Sequence, residues 1–479
     1  MKRILLIRTY KTLGAGGPVP PIGLLYISSA IRQTFGSQYE IKILDSGIDD
    51  FSLNDLKLCL EEFQPGFIGL STLSCETDLM QDIASISKSV IKDCKVIVGG
   101  PHATVAAAAL LSDPNIDIAV IGEGENTIVE LLKSLDESIP LSFVSGIAFR
   151  ENNRIVSTGP RNYIGILDAL PFPAWDLIDM KKYVNSPNWN GITKEYLYLP
   201  ILTSRGCPYQ CTYCHNIFGK HVRIRSSEDV VSEIEYLFRK YSVKEFHIID
   251  DAFNYDAARA KHLCSAIIAS GLKISLAFPN GLRADNIDDE LIILLKKAGT
   301  YKINFGFETI IPRLQSMIKK NLDIDSAHAT VRKVSKTGII TGGYFMFGLP
   351  TETREDILKT INFAAKSSLD TAYFFKVTPY PGSELYDYIN RHKELKNYDN
   401  FNNLHFYSVE RSSAQISPKE LNDLILFAQQ KFYLNIKRFI KSLSKSSSKK
   451  IFLSNVFSAL GLLVQSYILR KLNKYPSPL

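Results

Sequence analysis

The sequence predicts an α/β chain built as a Rossmann/flavodoxin-like open sheet, then a partial, TIM-type (β/α)6 barrel, then a C-terminal helical segment. Three observations carry that prediction. Short apolar runs alternate with amphipathic stretches of helical period through residues 1–400, as strands covered on both faces by helices require. The alternation is interrupted between residues 141 and 195, which makes it two series rather than one. The length, 479 residues, also exceeds what one ordinary core accommodates. The domain limits expected on this basis are 1–140, a connector at 141–195, the barrel at 196–400 and a basic helical region at 401–479.

In the first unit, strands are expected at Arg3–Arg8, Tyr39–Asp45, Phe67–Leu73, Lys95–Gly99 and Asp117–Gly122, with helices at Gly23–Thr34, Leu53–Phe63, Thr77–Lys92, Thr104–Ser112 and Asn126–Ser134. Five such repeats predict the strand order 2-1-3-4-5, with a ligand at the carboxyl ends of the strands. Small residues gather at those ends: Ser71-Thr72-Leu73, Gly99-Gly100 and Gly122-Glu123-Gly124-Glu125. Any one of them makes a tight strand–helix turn. Three at one sheet edge also allow the close backbone approach that a flat or bulky ligand needs.

The connector carries a hairpin pattern, Phe143–Arg150 and Asn153–Ser157, and a proline-pinned crossing, Leu170-Pro171-Phe172-Pro173-Ala174-Trp175. Beyond it, strands are expected at Tyr196–Leu202, Glu245–Ile249, Lys273–Phe278, Lys302–Phe307, Ile339–Phe347 and Thr371–Val377, with helices at Ser227–Tyr241, Ala257–Ser270, Asp288–Ala298 and Glu355–Ser367. In such barrels the working residues sit on loops after the strands. That rule selects Asp250-Asp251, Arg283, Phe305-Gly306-Phe307-Glu308-Thr309, Gly348-Leu349-Pro350-Thr351-Glu352-Thr353 and Thr378-Pro379-Tyr380-Pro381-Gly382. Individually the charged ones read equally well as helix caps or rim salt bridges.

The tail has helical spacing at Leu421–Ser442, a Ser/Lys linker at Ser444–Lys450 and an apolar amphipathic run at Ile451–Leu469, broken by Ser454, Asn455, Ser458, Gln465 and Ser466 and so not a spanning helix. From Lys431 to Leu479 there are ten Lys and Arg and no Asp or Glu. The net charge of +7 is therefore a property of the tail, the remainder carrying −3. This gives no reason to expect nucleic-acid binding by the body. A helix capping its own barrel and a helix lying on an anionic membrane through residues 431–474 both fit the charges. Seven cysteines, and a Met1-Lys2-Arg3 opening that runs straight into a strand pattern, read as a reduced, cytoplasmic compartment, membrane-associated at the surface if the tail meets lipid.

The most specific feature is Arg205-Gly206-Cys207-Pro208-Tyr209-Gln210-Cys211-Thr212-Tyr213-Cys214-His215, directly after the first barrel strand. Three thiolates on one loop can ligate three irons of a cubane and leave the fourth open. A zinc site with His215 as fourth ligand, in a zinc-stabilised binding protein, is the competing reading.

The Cys-x-x-x-Cys-x-x-Cys spacing in this context resembles the signature of the radical S-adenosylmethionine enzymes. The first unit resembles the cobalamin-binding domain that precedes many of them, through Pro20-Pro21-Ile22-Gly23, Val98-Gly99-Gly100-Pro101-His102 and Gly122-Glu123-Gly124-Glu125. The resemblance implies a 4Fe–4S cluster on Cys207, Cys211 and Cys214, S-adenosylmethionine contacts from Tyr213, Asp250, Arg283 and Glu308, and cobalamin contacts from Ser71, Leu73, Gly99, Gly100, Gly122, Glu123 and Gly124. The family's Gly-Gly-Glu after the second barrel strand is replaced by Ile249-Asp250-Asp251, and no histidine precedes His102, so a lower axial imidazole from this domain is not expected. The implied activity is methyl transfer to an unactivated carbon, through a 5′-deoxyadenosyl radical and methylcobalamin; a radical cyclase or rearrangement enzyme is the rival. Also implied are a small-molecule substrate, which the basic tail inclines towards an apolar molecule or lipid, and an electron donor such as flavodoxin or ferredoxin.

Overall fold

The computed structural model describes residues 1–10, 19–49, 51–184, 192–392 and 412–445. The first sheet contains β1 (Lys2–Arg8), β2 (Tyr39–Asp45), β3 (Phe67–Ser71), β4 (Lys95–Gly99), β5 (Ile118–Val120), β6 (Ile147–Glu151) and β7 (Arg154–Ser157) in the order 2-1-3-4-5-6-7. Strands β1 to β5 are parallel, and β5–β6 and β6–β7 are antiparallel. The expected flavodoxin order is present, and the hairpin expected in the connector extends this same sheet.

Helices α1 (Ile22–Phe35), α2 (Leu53–Phe63), α3 (Thr77–Val90), α4 (Pro101–Leu110) and α5 (Glu125–Asp136) cover its two faces. Each face has its own core, one around Leu5, Ile7, Leu70 and Val98 and the other around Ile4, Leu6, Ile97 and Val120. That division is the period-2 alternation of strands buried on both sides. A Ser52 capping box with Asp55 starts α2.

The barrel sheet contains β8 (Leu199–Ile201), followed by the short antiparallel pair β9 (Ser204–Arg205) and β10 (Arg223–Ile224) outside it, then β11 (Glu245–Ile248), β12 (Ser275–Leu282), β13 (Thr300–Glu308), β14 (Ile340–Phe347) and β15 (Thr371–Lys376). Six strands are parallel in the order 15-14-13-12-11-8, so β8 and β15 are its open edges. Helices α6 (Ser227–Tyr241), α7 (Ala257–Ala269), α8 (Asp289–Lys297), α9 (Pro312–Met317), α10 (Ile324–Lys336), α11 (Arg354–Lys366) and α12 (Glu384–Arg391) surround it. Its outer core, between strands and helices, also takes in Leu25 of α1 and Trp175 of the connector, which ties the two units into one packed body.

The tail is two helices, α13 (Pro418–Tyr433) and α14 (Ile436–Lys445), where sequence periodicity predicts one. In α14, Phe439 and Leu443 pack on Ile192, Tyr301 and Ile340 at the N-terminal end of the barrel. Buried Arg438 donates to the carbonyls of Phe432, Ala365, Ser367 and Leu369, and Lys441 and Lys445 pair with buried Asp370. The basic face thus turns inward on the barrel, and Leu434, Ile436 and Ile440 turn outward. Residues 446–474, the larger part of the segment expected to meet a membrane, lie outside the described residues. Among the described residues no helix is long and apolar enough to cross a membrane.

Candidate active site

The cysteine loop leaves β9 through Gly206, whose φ of +96° lies outside what an L side chain readily adopts. A methyl group there would overlap the His221 carbonyl oxygen and come within 3.1 and 3.2 Å of those of Phe218 and Gly219. The loop is pinned by Cys207 N–H donating to Gly219 O (3.1 Å), Thr212 N–H to Ile318 O (3.0 Å) and Cys214 N–H to Cys211 O (3.2 Å). All three thiols are unpaired, Cys207 and Cys211 half-buried and Cys214 exposed as a residue. Burial raises the Cys207 thiol, and crowding of the sulfur, then Cys211 and Cys207, push Cys214 up to about 12. These two thiols therefore hold their protons at neutral pH until metal displaces them. Among the described residues no group of three His, Cys, Asp or Glu side chains, the three cysteines included, is already gathered around one point. The donor set fits a three-thiolate cluster.

Around this loop stand the rim residues. Glu308, the last residue of β13, sits at φ +62° beyond a register shift between β13 and β14. A non-glycine residue held there costs on the order of 1–3 kcal/mol, and bulges of this kind re-aim side chains near active sites. The buried Glu308 carboxylate takes a hydrogen bond from Tyr213 (3.2 Å) and pairs with Lys320 at 2.8 Å. Burial draws the Lys320 ammonium down, but Glu308 and Cys211 outweigh it and raise its pKa. Arg283 lies over the Tyr209 ring, 4.3 Å from its centroid, and is bidentate to Asp285.

Asp250 is occupied differently. Its carboxylate accepts from Thr203 N–H (2.6 Å), Thr203 Oγ1 and Ser204 Oγ (2.7 Å), and Arg259 stands 3.6 Å away. It is fully buried and braces the strand end beneath the cysteines. The neighbouring Asp251 is the carboxylate nearer the loop: burial raises it, and His215 and the Gly206 N–H oppose that shift.

In the first unit, Ser71, Gly99, Gly100 and Gly122 line the carboxyl edge of β3 to β5. Gly100 leaves a notch whose missing methyl would lie 3.2 Å from Ser71 Oγ and from Thr72 N and O, and Leu73 beside it is 43% exposed. A bare backbone edge with an exposed aliphatic side chain fits a broad, flat ligand. His102 is buried behind this edge with Nδ1 3.0 Å from Ser74 Oγ, and burial draws its pKa down to about 4.

Glu123 does not face such a ligand freely. Together with Glu125 it is ion-paired to the barrel: Arg205 reaches Glu123 at 2.9 Å and Glu125 at 2.6 Å, and Arg223 reaches Glu123 at 2.8 Å. One further contact closes the same gap: Gly382 packs against Val105. The carboxyl edge of the first sheet therefore faces the carboxyl mouth of the barrel.

Sequence reasoning did not find Lys320 or the domain-bridging role of Arg205 and Arg223. No spacing rule singles out Lys320, and Arg205 pairs with residues 82 and 80 positions away. In the loop after β14, buried Glu352 accepts from Gly348 and Leu349 N–H groups (2.6 and 3.1 Å), and burial still pushes it up to about 8. A carboxyl raised on folding makes the native state less stable as pH rises from about 4.5 towards 8, because the unfolded chain gives up that proton first. Glu352→Gln is expected to flatten that part of the stability–pH curve, measured by chemical denaturation; an unchanged slope would remove Glu352 as its source.

Two facing α/β units, one offering a bare sheet edge and the other three thiols and a charged rim, define an enzyme with a cofactor site on each unit. Residues 12–132 match the B12 binding domain family and residues 201–364 the radical SAM superfamily. The chain is 30% identical over 436 residues, 90% of its length and 91% of the relative's, to an uncharacterised methyltransferase of Pyrococcus horikoshii. It is 31% identical over 418 residues, 76% of the chain and 77% of the relative, to the cytidylyl-2-hydroxyethylphosphonate methyltransferase of Streptomyces wedmorensis. The fold superposes on that of TsrM, a radical S-adenosylmethionine methyltransferase from Kitasatospora setae solved with cobalamin and a 4Fe–4S cluster, with a TM-score of 0.66 and 21% identity, covering 82% of this chain and 75% of that one. The chain belongs to the cobalamin-binding radical S-adenosylmethionine enzymes. Its cofactors are accordingly a 4Fe–4S cluster, S-adenosylmethionine and cobalamin.

Proposed function

We propose that the protein is a methyltransferase that acts on an unactivated carbon of a small molecule, drawing electrons from a flavodoxin- or ferredoxin-type donor. The observation that carries this reading is the facing of the two carboxyl edges, through the Glu123–Arg205 and Val105–Gly382 contacts, so that a molecule at the barrel mouth meets both units at once. When bound, the cofactors supply one-electron cleavage of a sulfonium and a methyl donor.

The chain's own residues hold and orient. Cys207, Cys211 and Cys214 are the cluster ligands. Glu308, paired with Lys320 and aimed by it and Tyr213, is suited to ribose hydroxyls, and Arg283 to the methionyl carboxylate, for which it would have to share its fork with Asp285. Asp250 supports the loop from beneath rather than reaching the ligand. Ser71, Leu73, Gly99, Gly100, Gly122 and Gly124 form the corrin edge, with Glu123 behind it. Neutral, buried His102 belongs to the loop scaffold beside Ser74 and would not be a ligand to a bound corrin.

An apolar or lipid substrate and a membrane-surface contact through residues 431–474 are finer readings. Outward Leu434, Ile436 and Ile440 favour an apolar neighbour, but Arg438, Lys441 and Lys445 are committed to the barrel and withdrawn from lipid headgroups. A cytoplasmic site for the reaction follows from its need for reduced thiols.

The test is metabolic. Cells with and without the intact gene are fed methyl-deuterated methionine and their metabolites compared. A compound carrying the labelled methyl, present only with the gene and lost in Cys207→Ala, is expected. A gene-dependent product without label would replace methyl transfer by cyclisation or rearrangement.

A further inference from the structure

The buried ion cluster between the two units has a geometry that simple adhesion does not require. Strands β9 and β10 pair in a register that sets Arg205 opposite Arg223, and both guanidiniums converge on Glu123. Arg205 divides its fork between Glu123 and Glu125, and its face covers the Tyr26 ring of α1 at 5.2 Å. All four charged side chains are no more than 7% exposed, and the two positive charges balance the two negative ones. A single ion pair can swivel, whereas two cations on one carboxylate, one of them shared with a second carboxylate, fix both distance and angle.

The positions in the chain matter as much as the contacts. Glu123 lies three residues after Val120, the last of β5, between Gly122 and Gly124 and just behind the corrin edge. Arg205 lies two residues before Cys207. Between them Gly206 is enclosed by three carbonyl oxygens and Cys207 N–H is held by Gly219, so the connection has no slack.

We propose that Arg205, Arg223, Glu123 and Glu125 form the joint that sets the separation and tilt of the corrin edge relative to the cluster loop, each being a positioning residue. The proposal rests on the cofactor assignment above. Its test uses the full chain, reconstituted anaerobically with iron, sulfide and cobalamin. Partial reduction makes cluster and cob(II)alamin paramagnetic together, and a nearby reduced cluster speeds the electron-spin relaxation of the cobalt. Iron and cobalamin content are measured alongside.

Wild-type protein is expected to show that enhancement. Arg205→Gln, loaded with both cofactors, is expected to lose it or spread it over a range, because Glu125 is left without its cation and pulls away. Arg205→Gln combined with Glu125→Gln is expected to recover part of it, since no bare carboxylate remains. An enhancement unchanged in fully loaded Arg205→Gln overturns the proposal, as does its absence from loaded wild type. Should Arg205→Gln fail to load, Glu125→Gln alone decides: it keeps the Arg205–Glu123 pair, and an enhancement identical to wild type counts against the joint. Wild-type protein that takes up no cobalamin would instead defeat the cofactor assignment.

Discussion

Gly206→Ala is expected to yield a folded protein that reconstitutes with little iron. Alanine would have to adopt a φ of +96°, and its methyl would meet three backbone oxygens that belong to the next stretch of the same loop. Backbone strain and overpacking each cost on the order of 1–3 kcal/mol. The damage is local, because the loop lies outside the six-stranded sheet and contributes little to either large core. Circular dichroism should therefore stay close to wild type, and iron, sulfide and the brown charge-transfer absorbance should fall together. Wild-type iron content in Gly206→Ala would mean that the loop can find another path to the same three thiols.

Lys320→Met is the second variant with a large expected effect. It leaves Glu308, at an unfavourable backbone angle and 9% exposed, with the Tyr213 hydroxyl as its one remaining side-chain partner among the described residues. Removing one member of a buried pair costs about 3–5 kcal/mol because the other charge stays behind. Global stability should drop by that order in chemical denaturation, and the change that S-adenosylmethionine produces in the cluster spectrum should weaken. Adding Glu308→Gln should restore stability but not binding, which separates the structural cost from the contact. The sign with pH is clear. Lys320 has a folded pKa above its usual 10.5, so the stability that its charge contributes is present at neutral pH and is lost as pH rises into strong alkali. A Lys320→Met protein as stable as wild type would show that Glu308 is satisfied elsewhere.

What the sequence made legible follows a physical division. The cysteine motif and both sheet orders depend on local spacing, period 2 against period 3.6, and each was readable. Helix α10 was not, because its buried face is Ala327, Thr330, Val331, Val334 and Ser335, too small and polar to register as an apolar stripe. The tail helix was readable as a helix but not as two, nor was the turning of its cations inward to Asp370 and four carbonyls. Asp250 and Glu123 were correctly placed at strand ends, yet their side chains are claimed by Thr203, Ser204, Arg205 and Arg223. Such pairings over tens of residues leave no periodic trace. Charge type marks a residue as interesting, and only the fold says which neighbour has already engaged it.

The packing of α14 over the barrel floor has a consequence for traffic. With Phe439 and Leu443 filling the N-terminal end, a molecule reaches the interior from the opposite mouth, under the first sheet, or through the gap between β8 and β15. Substrate and the spent fragments of S-adenosylmethionine have those two openings to pass through.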